Sequence, residues 1–130
     1  QKRMTERKER QEVMKEKIQV SCEMEVTLRV VGGKWKLLIL HYLMENGPKR
    51  YNEIQRFLKT ANKKTLTNQL RELEEAGIIL REVYSTRPIQ VVYSITEHGK
   101  TLSPILEAMC DWGSENAKDN YIFTNSQCTE

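Results

Sequence analysis

The chain is poor in cysteine and histidine and has no long apolar run. It holds three cysteines, Cys22, Cys110 and Cys128, in 130 residues. An odd count at wide spacing argues against a disulfide-stapled scaffold and predicts a protein of the reducing cytoplasm. No apolar run approaches the roughly 18–20 residues needed to span a bilayer, which excludes an integral membrane protein. The charged N-terminus carries no secretory pattern. The two histidines, His41 and His98, and the cysteines are scattered without metal-ligand spacing, so neither a metal nor a cofactor is expected. Ser-His-Asp sets, paired carboxylates and phosphate loops are also missing, which argues against an enzyme. There are no internal repeats and no low-complexity tracts.

What is present fits one small domain. Hydrophobic residues make up 38% of the chain, enough for a modest core. The net charge of +3 is unevenly spread. From Lys49 to Arg71 there are seven basic residues against one acid, Glu53, whereas Asp111 to Glu130 holds four acids and one base. That asymmetry predicts an anionic partner for the middle of the chain. A membrane surface is anionic too, but an interfacial helix needs a broader apolar face than this region offers.

Residues 1 to about 20 mix bases and acids and read as a solvated helix or arm. Glu23 to Val31 predicts a short helix ending at Gly32-Gly33. Trp35, Leu38, Ile39, Tyr42 and Leu43 recur at helical spacing and predict a core helix, stopped by Asn46-Gly47-Pro48. Tyr51 to Leu58 predicts a second helix with Asn52 as its cap. After the turn Lys59-Thr60-Ala61, Asn62 is a good N-cap and Gly77 a good terminator for a third. Its leucines, Leu66, Leu70 and Leu73, form one narrow stripe; Lys64, Thr67, Asn68 and Arg71 lie opposite. Lys63 and Lys64 occupy the first turn, where the helix dipole favours acids. A phosphate backbone at that end would reverse the penalty.

Two helices joined by a tight turn, the second polar outside, match a helix-turn-helix. Then the period changes. Ile79 to Tyr84 and Gln90 to Ile95 are rich in β-branched and aromatic residues, separated by Ser85 to Ile89, and predict a hairpin. The fold class expected is mainly α with a small β-hairpin: a winged helix-turn-helix over residues 21–117, with a polar tail at 118–130. Thr96 can cap a last helix, Glu97 to about Ala117, which Pro104 must kink or divide, with Ser103 capping the second part. Its apolar stripe, Leu102, Ile105, Leu106, Met109 and Trp112, is wider than a small core requires and predicts a dimer surface.

The order of several short words resembles the HxlR family of bacterial winged-helix transcriptional regulators. They are Gly32-Gly33-Lys34-Trp35-Lys36-Leu37-Leu38, Gly47-Pro48-Lys49-Arg50-Tyr51-Asn52-Glu53-Ile54, Leu66-Thr67-Asn68-Gln69-Leu70-Arg71-Glu72-Leu73-Glu74 and Val92-Tyr93-Ser94-Ile95-Thr96-Glu97-His98-Gly99. The resemblance covers about Cys22 to Gly113. It implies a homodimer, joined through its N- and C-terminal helices, on a palindromic operator of double-stranded DNA. It also implies a candidate thiol sensor at Cys22, where family members often have Cys-Pro; here Glu23 replaces the proline.

Within that reading Lys63 and Lys64 hold phosphates, Thr67 and Asn68 touch bases, and Arg71 takes a guanine or a phosphate. Lys49 and Arg50, before the first helix of the motif, are phosphate contacts or a solvated turn. Arg87 lies at the wing tip. The alternative is a winged-helix interaction module without specific DNA binding, which predicts an apolar or acidic outer face on the second helix.

Overall fold

The computed structural model describes residues 17–128. Most of the charged arm expected at 1–20 therefore lies outside the described residues. The elements are α1 (Glu23–Val31), α2 (Lys34–Asn46), β1 (Lys49–Arg50), α3 (Tyr51–Leu58), α4 (Lys63–Glu75), β2 (Ile79–Tyr84), β3 (Gln90–Ile95), α5 (Glu97–Lys100) and α6 (Ser103–Ala117). The expected winged helix-turn-helix is present, with one addition. The sheet has three antiparallel strands in the order β1-β3-β2, so Lys49 and Arg50 form a strand rather than a turn. Lys49 pairs with Tyr93 and Arg50 with Val92. On the other side Ile79 pairs with Ile95 and Tyr84 with Gln90, leaving Ser85 to Ile89 as the loop.

The core forms where α2, α3 and α4 meet. Ile39, Leu40 and Leu43 of α2, Ile54 and Leu58 of α3, and Leu66, Leu70 and Leu73 of α4 are all buried. Removing such side chains from water is the main stabilising contribution, about 1.5–3 kcal/mol each. Tyr42 and Phe57 stack with centroids 4.1 Å apart and hold α2 against α3. The α2 stripe is rotated from the one expected. Leu40 joins the core, Trp35 is only half-buried, and the charged Lys36 takes a buried position. The Trp35 ring is covered by Lys34 Nζ at 4.4 Å from its centroid.

Two caps differ from expectation. Arg50, not Asn52, precedes α3, and its backbone N–H donates to Glu53 Oε1 at 2.8 Å. Pro104 divides the last helical segment into α5 and α6. Ser103 is the first residue of α6 rather than its cap, and no side chain caps that end. Leu102 and Leu106 also depart from the dimer surface expected of them: both are buried in this domain's own core. Ile105, Met109 and Trp112 of the same stripe are exposed. An α-helix packed by one face must send part of a wide stripe inward, and the half nearest α2 went there.

Candidate nucleic-acid interface

The helix α4 is positioned by local chemistry at both ends. Asn62 Oδ1 accepts from the Thr65 N–H at 2.8 Å and satisfies one of the free amides of the first turn. At the far end Gly77 has φ +76°, and the Ile78 N–H returns to the Leu73 carbonyl at 3.0 Å. That left-handed turn suits glycine, which has no Cβ to clash. Thr96 fastens the same corner to the wing. Its hydroxyl donates to the Gly77 carbonyl at 2.7 Å, and its Oγ1 accepts from the Gly99 N–H at 2.9 Å.

With the leucines inward, the opposite face of α4 turns to solvent. Lys63, Lys64, Thr67 and Arg71 are exposed and Asn68 is half-buried. Thr67 is not free: its Oγ1 lies 3.2 Å from the Tyr51 hydroxyl, which also donates to the Lys63 carbonyl at 3.4 Å. Tyr51 thus fixes the start of α4 relative to α3. Beside it, Arg71, Arg81, Glu74 and Tyr93 line a cleft between α4 and the sheet. Burial pushes the Tyr93 phenol above its usual range, against a smaller lowering by Arg81.

The flanking cations come from one strand and a loop. Arg50 is exposed on β1, and Lys49 Nζ stands 6.0 Å from the Tyr42 ring centroid. Arg87 is exposed in the wing loop, where the Arg87–Pro88 peptide is cis. The structure brings Lys63, Lys64, Thr67, Asn68 and Arg71 onto one helix, with Lys49 and Arg50 on β1 and Arg87 in the wing loop. Cys22 lies elsewhere, exposed at the head of α1, its thiol 3.6 Å from Glu23 Oε1.

Residues 30–121 match the model of the HxlR-like helix-turn-helix family. The chain belongs to that family. Among relatives of this HxlR-type regulator, the HTH-type transcriptional regulator YkvN of Bacillus subtilis is 48% identical over 101 residues, covering 78% of this chain and 85% of the relative. The redox regulator HypR in its oxidised form is 52% identical, with a TM-score of 0.67 over 73% of this chain and 97% of that one. Its reduced form is 44% identical, with a TM-score of 0.72 over 77% of this chain and 100% of that one. The chain is thus a transcriptional regulator of the helix-turn-helix type. None of its described helices is long and apolar enough to cross a membrane.

Two features escaped sequence reasoning. The odd count and wide spacing of the cysteines argue against a disulfide scaffold, yet Cys110 and Cys128 form a disulfide with Cα atoms 5.4 Å apart. The tail folds back because Gln127 Nε2 donates to the Leu38 carbonyl at 3.1 Å, and Lys59 Nζ reaches the Thr124 carbonyl at 3.5 Å. His41 joins the same cluster, against the expectation that the histidines and cysteines lie apart. No sequence spacing signals this meeting, since the three come from α2, α6 and the tail.

Proposed function

We propose that this HxlR-type regulator is a cytoplasmic homodimer that binds a palindromic DNA operator and sets α4 of each subunit in the major groove. The observation that carries this reading is the uncovered polar face of α4, cationic at its N-terminus, above a fully buried leucine stripe. Lys63 and Lys64 neutralise phosphates; Thr67 and Asn68 read base edges; Arg71 takes a guanine or a phosphate. Lys49, Arg50 and Arg87 hold the flanking backbone. An outer face of this composition favours DNA over a protein-docking role.

Dimerisation is supported by apolar surface at both ends of the chain. Met24 and Leu28 on α1, and Ile105, Met109 and Trp112 on α6, are exposed. Such clustering is unusual on a monomer's surface. Two subunits would present their α4 helices about 34–36 Å apart, one turn of DNA, so a small change in that separation switches binding. Cys22, exposed at the head of α1, is the candidate sensor of oxidants in this reading.

Fluorescence anisotropy on duplexes selected from a random pool tests the assignment. The double variant Lys64→Ala/Arg71→Ala is expected to bind more weakly, and each lost phosphate contact to flatten the log K against log salt slope by about 0.9. Undiminished binding would overturn the role of α4. Trp112→Glu is expected to shift the sedimenting species towards monomer. Wild type and Cys22→Ser are then compared with and without a thiol oxidant; an identical response removes Cys22 as the sensor.

A further inference from the structure

Away from α4, the inner side of the C-terminal tail closes a cleft of about 550 Å³ against α2 and α6. His41, Cys110 and Cys128 meet on its wall, with one donor atom of each within 4.8 Å of the others. His41 Nε2 lies 3.9 Å from Cys110 Sγ and 3.7 Å from Glu45 Oε1. His41 Nδ1 is buried and has no hydrogen-bond partner among the described residues. A nearly buried imidazole held by one long sulfur contact and one long carboxylate contact is poorly accounted for as a structural residue.

We propose that His41, Cys110 and Cys128 form a three-ligand site for a thiophilic metal ion of the zinc class, open to the ion when the disulfide is reduced. The donor set is one imidazole and two thiolates, which suits such an ion. Tetrahedral coordination with ordinary zinc bond lengths sets N···S edges of about 3.6 Å and S···S edges of about 3.8 Å. The His41–Cys110 edge, at 3.9 Å, is already within a few tenths of an ångström of the first. The second needs the sulfurs to part, and Cys128, exposed on the tail, can supply that movement. The Glu45 carboxylate adds negative charge beside the imidazole, and the cleft leaves room for water as a fourth ligand.

The chemistry balances. The disulfide accepts two electrons and two protons from a cellular or added dithiol, which closes to its own disulfide. The two thiols then release their protons to solvent as two sulfur–metal bonds form. Disulfide and metal are therefore exclusive occupants of one pair of sulfurs, and either one ties the tail to α6. The site shares no residue with α4 and does not depend on the DNA reading.

Cobalt(II) is the probe, added to the full chain after reduction and removal of the reductant under argon. The expected result is one ion per chain, with sulfur-to-cobalt charge transfer in the near ultraviolet and visible d–d bands of a tetrahedral site, all displaced by zinc(II). Cys128→Ser lies outside the core and should keep the circular dichroism melt of the reduced, metal-free wild type while losing these bands. His41→Ala should weaken binding by at least about tenfold. Cys22→Ser should bind as wild type, and the reoxidised chain should not bind. Absence of the bands in the reduced protein, their survival in Cys128→Ser, unchanged affinity in His41→Ala, or their loss in Cys22→Ser would each overturn the assignment.

Discussion

Lys36 Nζ of α2 lies 2.6 Å from Glu72 Oε1 of α4, and the lysine side chain is only 10% exposed against 53% for the glutamate. The partners contribute unequally. Removing the glutamate leaves a nearly buried cation uncompensated, whereas removing the lysine frees an acid that water can solvate. Glu72→Gln is expected to destabilise by about 1–3 kcal/mol, and Lys36→Met by less than about 1 kcal/mol or not at all. Urea unfolding of the two variants checks the asymmetry; equal losses would mean that the pair acts as an ordinary surface bridge.

The turn between α3 and α4 holds Lys59 at φ +61°, ψ −63°, with the Thr60 N–H donating to the Leu58 carbonyl at 2.6 Å. This is a γ-turn of the rarer, positive-φ kind, which strains a residue carrying a Cβ. Lys59→Gly removes the strain but raises the entropy of the unfolded chain. Relief should win, with a net gain of up to about 1 kcal/mol. Lys59→Ala keeps the Cβ and should show no gain. Thermal melts of the two variants separate them.

Gly99 has no such freedom to give. A Cβ there would run into the Ile78 carbonyl oxygen, and Ile95 Cγ2 would stand 3.1 Å away. The same carbonyl accepts from the Thr96 N–H at 3.0 Å, so it cannot retreat without breaking that bond. Gly99→Ala is expected to cost about 1–3 kcal/mol, read as a lower urea midpoint with an unchanged slope.

Acid should loosen the entry to α3. The Arg50 backbone N–H holds the Glu53 carboxyl below its ordinary 4.5, and Ser21 does the same for Glu25. A carboxyl lowered in the folded state contributes stability that is complete above its unfolded pKa. The contribution fades as pH falls through the folded value. Comparing urea midpoints at about pH 6 and about pH 3.5, Glu53→Gln should lose less than wild type. Equal losses would place the acid sensitivity elsewhere.

The helices were legible because their signals are local. The leucines of α4 recur at helical spacing, Asn62 and Gly77 bracket them, and the β-branched run after Gly77 changes the period. What stayed hidden depends on partners distant in sequence. β1 is two residues long, too short for any period, and exists only because β3 lies alongside. Lys36 belongs on an apolar stripe only because Glu72 meets it. The apolar stripe of the last helix is one surface by spacing alone, yet Leu102 and Leu106 serve the core. The cluster of His41, Cys110 and Cys128 follows from a chain reversal at Lys118, whose φ of +51° marks the turn after α6.

The third strand has a practical consequence for grafting. Because Lys49 and Arg50 are laced to Tyr93 and Val92, the wing is stitched to the threshold of α3 and cannot be exchanged as a bare hairpin. A chimera that imports residues 79–95 from a relative while keeping the host's 49–50 would mate foreign edges at that seam. Swapping both segments together transfers the wing with its hinge intact.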